Sequence, residues 1–130
     1  MDQSFKKGER LQSRKIIDLL FERGTSFTIE PIRTISLEAE LKATFPVQVL
    51  LAVPKKNVPK AVHRNKVRRR MREAYRRHKN LLYEQLGSAG KTMAIALVYT
   101  GREVLAYSVI EEKIILCLQR LGGVNEKDAQ

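Results

Sequence analysis

Among 130 residues there is one cysteine, Cys117, so the chain can close no internal disulfide and build no cysteine-based zinc site. No apolar run approaches the roughly 20 residues that span a bilayer. The opening Met1-Asp2-Gln3-Ser4-Phe5-Lys6-Lys7 lacks the apolar stretch of a secretion signal. There is no glycine-rich phosphate loop and no Ser/His/Asp order with supporting context. His63 and His78 lie on one helix, far from the cysteine, and suggest no metal site. The carboxylate pairs Glu38/Glu40 and Glu111/Glu112 have no nucleophile or base beside them. A self-sufficient nuclease would need clustered carboxylates for its metal ions, and none stand at suggestive spacing. These absences leave a soluble, cytoplasmic, single-domain protein over 1–130, with 1–8 and 122–130 expected as flexible tails.

Acids are scarcest between Lys55 and Lys79, where Glu73 stands alone among twelve Lys/Arg. That window carries +11, which equals the net charge of the whole chain; outside it 13 basic and 13 acidic residues cancel. A local basic block on a neutral domain marks a polyanion-binding surface, with nucleic acid ahead of an anionic membrane.

Leu11, Ile16, Leu19 and Leu20 recur at helical spacing and predict a first helix over 10–21, closed by Gly24 as a C-cap. Phe27, Ile29, Ile35 and Leu37 alternate, with Pro31 and Arg33 on the same face. They predict a half-buried strand that Pro31 places at an edge or breaks in two. Residues 38–44 read as a turn. Pro46 introduces a strand over 47–53, expected to be buried on both faces or nearly so, and Pro54 stops it. Pro59 opens a helix expected to run to about Lys79 or a little beyond, and Gly87 to Gly90 read as a flexible loop. A third strand follows over 92–99, then a helix over about 104–121. Its stripe is Leu105, Val109, Ile110, Ile114, Cys117, Leu118 and Leu121, which makes Cys117 a buried, inert thiol. The order α-β-β-(β)-α-β-α predicts a small α+β or α/β two-layer sandwich, three helices packing a small central sheet.

Within the basic helix, Val67, Met71, Ala74, Tyr75 and His78 share one stripe facing the core. Lys66, Arg68, Arg69, Arg70, Arg72, Arg76 and Arg77 fill the other arc beside Asn65, and Lys60 and Arg64 open the helix at its positive dipole end. Arg68, Arg72 and Arg76 form a like-charge row that an ordinary solvated face avoids, and only Glu73 relieves it. That fits a phosphate-backbone footprint, with a solvated or membrane-facing helix as the alternative. Arg64 falls within the apolar arc. It either bonds a strand-end carbonyl or acid, or lines the lip of a cleft near Lys55 and Lys56.

The run Val53-Pro54-Lys55-Lys56, then Ala61-Val62-His63-Arg64-Asn65-Lys66-Val67-Arg68-Arg69-Arg70-Met71-Arg72-Glu73-Ala74-Tyr75-Arg76, resembles the protein subunit of bacterial ribonuclease P. Phe5, Lys7, Arg10 and Leu11 are similar to that family's opening, and Gly24 to its glycine after the first helix. The resemblance implies a fold similar to a ribosomal-protein domain, with a left-handed crossover at the basic helix. It implies a subunit that carries no catalysis itself and pairs with a catalytic RNA. The RNA's Mg2+ ions would cleave precursor tRNA endonucleolytically and release the 5′ leader. By position, Arg64, Asn65, Lys66, Arg68, Arg69, Arg72 and Arg76 would contact that RNA beside Lys55 and Lys56, and the outward phasing adds Lys60 and Arg70. Phe21 matches an aromatic facing a leader cleft between the first helix and the sheet, where Arg10 also belongs. Ile17 and Ile35 stand where the family often carries further aromatics, and Phe27 is the expected substitute. No membrane and no obligate protein partner are expected. The competing reading is a ribosomal or other structural RNA-binding protein without a processing role.

Overall fold

The computed structural model describes residues 4–41 and 45–122; the expected tail beyond 122 and part of the expected 38–44 turn lie outside them. After a 3-10 turn at Lys7–Glu9 come α1 (Arg14–Arg23), β1 (Thr25–Ile29), β2 (Ile32–Glu38) and β3 (Val47–Ala52). The chain continues through α2 (Ala61–His78), α3 (Asn80–Ala89), β4 (Met93–Tyr99) and α4 (Tyr107–Leu121). The four strands form one sheet in the order β1-β2-β4-β3. β2 is antiparallel to β1 and β4, whereas β3 runs parallel to β4. The crossover that makes the parallel pair passes through α2 and α3. The expected α+β class holds, with four helices rather than three.

The main core lies between one sheet face and α2, α3 and α4. Val67, Met71, Ala74 and Tyr75 are fully buried, as their spacing predicts, and His78 is half-buried at the end of the stripe. From α4 come Ile110, Ile114, Cys117 and Leu118, so the thiol is enclosed and its pKa pushed up by burial. Leu105 precedes that helix, and Val109 faces solvent. On the other face, α1 sets Ile16, Ile17 and Leu20 over Ile35, Ala94 and Ala96, with Leu11 beside them.

Several expected boundaries move for identifiable reasons. The first helix starts at Arg14 because Ser13 caps it, its Oγ accepting from the Ile16 amide at 3.3 Å. Arg10 and Leu11 are extended instead, and the Leu11 amide donates to Val49 O at 2.9 Å, which clips the segment along β3. β3 is therefore an edge strand: Val47 and Val49 are buried, but Gln48, Leu50 and Ala52 are only half-buried. α2 passes into α3 at Lys79, whose own backbone is helical, so no breaker separates them. The expected Gly87–Gly90 loop is the last turn of α3, and only Gly90, at φ 66°, is left-handed.

Ser4 to Gly8, within the expected flexible tail, are fastened down. The Phe5 ring meets Tyr75 edge-on at 5.8 Å, and Gly8 O accepts from Gln48 Nε2 at 3.1 Å.

Gly24 does not serve as a left-handed cap; its φ is −68°. Glycine is required there by space. A Cβ would lie 2.5 Å from Leu20 O, 2.8 Å from Ile35 Cγ2 and 2.9 Å from Ser36 O. Two of these are backbone atoms that cannot swing aside, so Gly24→Ala is expected to destabilise the fold by about 1–3 kcal/mol. Urea denaturation measures it, and a change near zero would mean α1 is not seated this closely.

Candidate nucleic-acid interface

The buried stripe of α2 fixes which of its cations look outward, but the side chains do not all stay free. Arg64 turns back: its Nη1 donates to Val58 O at 3.1 Å and to Pro59 O at 2.6 Å, clamping the loop between β3 and α2. Of its two expected roles, the geometry realises the structural one, with loop carbonyls as acceptors. Arg70 Nη1 donates to Leu105 O at 2.6 Å and so anchors the approach to α4. Arg68 donates to Asn65 Oδ1 at 3.0 Å. Arg76 pairs with Glu73 at 2.6 Å, and that hydrogen bond holds the Glu73 carboxyl below its usual pKa.

Lys55, Lys56, Lys60, Lys66, Arg69 and Arg72 make no ion pair or side-chain hydrogen bond among the described residues. Their charge is left for an external partner. Val62, Asn65, Arg68, Arg69 and Arg72 line a groove of about 470 Å³ on this surface.

The lysine pair connects α2 to a second surface. α1 is only ten residues long and covers one end of its sheet face. Ile35, Ala94 and Ala96 are buried beneath it, but the neighbouring register row Ala52–Val98–Arg33–Thr28 is half-buried to exposed across all four strands. This open shelf ends at β3, and Lys55 and Lys56 follow Ala52 directly past Val53 and Pro54.

The five residues expected in the leader cleft are therefore divided. Phe21 is 49% exposed on α1. Ile17 is half-buried in the seam between helix and sheet, and Ile35 is 2% exposed beneath it, too enclosed to touch a ligand. Arg10 lies at the β3 edge, its guanidinium 5.2 Å above the Phe5 ring. Phe27 is on the wrong face: it packs into the α2–α4 core, with Arg120 4.4 Å over its ring. The two-residue turn at Glu30–Pro31 explains the error. It pairs Phe27 with Thr34 and Ile29 with Ile32, so odd-numbered residues of β1 and β2 fall on opposite faces. Arg33, on the open row, takes the position that Phe27 was expected to fill.

A model of the family described as Ribonuclease P matches residues 5–122. The chain belongs to the ribonuclease P protein family. The ribonuclease P protein component of Porphyromonas gingivalis is 34% identical over 118 residues, covering 90% of this chain and 85% of that one. The component from Chlorobium phaeobacteroides is 39% identical over 106 residues, covering 75% and 73%. The solved ribonuclease P protein of Thermotoga maritima superposes with a TM-score of 0.68 at 25% identity, covering 86% of this chain and 96% of that one. The Staphylococcus aureus protein, at 17% identity and a TM-score of 0.67, shares the fold. Membership makes the chain an RNA-binding component of ribonuclease P, a tRNA-processing endoribonuclease that includes an RNA subunit.

One element of this ribonuclease P protein had no sequence signal. Glu9 is 0% and Lys79 3% exposed, and they form a buried ion pair. Tyr83 Oη donates to Glu9 Oε1 at 2.6 Å, the Lys6 amide donates to Oε2 at 2.7 Å, and Lys79 Nζ also donates to Ser4 O. The network locks the segment carrying Lys7 and Arg10 against the end of the basic helix. Lys79 counts toward the +11 block but contributes nothing to its outward field. No helix is long and apolar enough to cross a membrane among the described residues.

Proposed function

We propose that this chain is the protein subunit that helps the catalytic RNA of ribonuclease P remove the 5′ leader from precursor tRNA. In this reading the free cations of α2 bind RNA phosphates, and the shelf beside α1 holds the single-stranded leader. The observation that carries it is the junction of the two surfaces: the open row runs to the β3 edge, where Lys55 and Lys56 lead into α2. A strand lying on the shelf would find small side chains at Ala52 and Val98, a planar guanidinium at Arg33 and an exposed ring at Phe21 for its bases. The lysine pair would meet its phosphates.

Mg2+ bound mainly by the RNA would supply the chemistry by activating the attacking water. No three His, Cys, Asp or Glu side chains come together among the described residues to hold a metal. The chain's own part is to screen phosphate repulsion and to place the leader. It should therefore lower the Mg2+ concentration the RNA needs and favour substrates that carry a leader.

Cleavage of precursor tRNA by the RNA subunit, with and without the protein at low Mg2+, tests this. If the protein neither lowers the Mg2+ requirement nor improves cleavage of leader-bearing substrate, the reading is wrong. Phe21→Ala is expected to weaken leader-dependent affinity about tenfold, the low end of one base–aromatic stack. Phe27→Ala, on the other face, should leave it within twofold. Equal losses in both would remove the shelf from the proposal.

A further inference from the structure

We propose that the far flank of α1, away from the shelf, carries a second backbone-binding groove, filled by the RNA subunit and not by the leader. This rests on the reading above and adds a contact to it. A groove of about 750 Å³ opens between the first turn of α1, the 3-10 turn and the end of the sheet. Lys7, Arg10 and Lys15 supply its charge, with Glu40 as the only acid among its described lining residues; Gln12 and Gln48 add amides, and Ile16 and Leu19 the apolar wall.

This groove is not isolated. A smaller one of about 240 Å³ runs along the β3 edge and shares Arg10 and Gln12 with it. At its other end the smaller groove shares Arg68 and Arg72 with the groove on α2. The three make one track from the basic helix, around the sheet edge, to the flank of α1 that bears Lys15 and Leu19. Among the described residues six cations line it, Lys7, Arg10, Lys15, Arg68, Arg69 and Arg72, against one carboxylate.

The chemistry selects a sugar–phosphate backbone. Among the described residues the large groove has no aromatic side chain in its lining, so it offers cations and amides but no stacking platform. Its far wall is also built to stay in place. The Glu9–Lys79 pair and the Gln48–Gly8 bond hold the segment that presents Lys7 and Arg10. Continuity with α2 assigns the occupant to the same RNA that α2 binds, since α1 stands between the large groove and the shelf.

The test uses the full chain carrying Lys7→Gln and Lys15→Gln together, both at exposed positions outside the core. Binding to the RNA subunit alone is measured across a salt series. The expected result is an affinity about tenfold lower and a log–log salt slope shallower by about 1–2, as for two lost phosphate contacts. Unchanged affinity and slope would overturn the proposal. So would a loss seen only with precursor tRNA and growing with leader length, because the groove would then belong to the leader. Because no cleavage is read, this experiment can fail while the leader assignment stands, and the reverse.

Discussion

Glu9→Ala is expected to destabilise the protein by about 3–5 kcal/mol, the cost of leaving a buried charge without its partner. Lys79 is almost fully enclosed, and its remaining acceptor, Ser4 O, is a neutral carbonyl. Tyr83 loses its acceptor in the same step, and the Lys6 amide loses its own. Against a total stability of about 5–15 kcal/mol, this is a large fraction. Replacing both partners, Glu9→Leu with Lys79→Met, should recover part of the loss, because an apolar pair of similar volume avoids desolvation. It should not recover all of it, since Tyr83 Oη and the Lys6 amide both lose the carboxylate that accepted from them. Urea denaturation of the three variants decides the matter. A loss below about 1 kcal/mol in Glu9→Ala would mean the carboxylate is solvated and the latch is not formed.

The second large effect belongs to binding rather than folding. Arg69→Gln with Arg72→Gln removes two outward cations that make no ion pair or side-chain hydrogen bond among the described residues. Affinity for the RNA subunit is expected to fall by one to two orders of magnitude. The salt slope should become shallower by about 2, with the unfolding midpoint unchanged. Arg70→Gln should behave in the opposite way. Its guanidinium is committed to Leu105 O, so its loss should appear in stability before it appears in affinity. If all three arginines proved equivalent in binding, the division of α2 into free and committed cations would be wrong.

The sequence was most legible where one period dominates. The stripe Val67, Met71, Ala74, Tyr75 repeats at helical spacing, and all four are buried. The chemistry of the block was legible for the same reason: the stripe fixes the outward arc. What escaped depended on contacts distant in the chain. Glu9 and Lys79 are 70 residues apart, and neither shows from its neighbours that it is buried. Arg64 and Arg70 read as outward or ambiguous cations because their carbonyl acceptors lie in loops whose paths no periodicity gives. Phe27 was misplaced by parity, since a two-residue turn inverts the face on which alternation continues. α3 was missed because Lys79 keeps a helical backbone at the junction and Gly87, expected in a loop, falls inside the helix.

The clip between Leu11 and Val49 has a consequence outside recognition. β3 is an edge strand with a row of backbone groups facing outward, the kind of margin along which separate molecules add strands to one another. Leu11 takes one of these acceptors, and its side chain is buried beneath α1. The amino-terminal segment thus acts as a guard rail for the sheet as well as a source of cations. A chain shortened to begin at residue 12 would lose Lys7 and Arg10 and expose the β3 margin together, so weaker RNA binding and aggregation would arise from one cut.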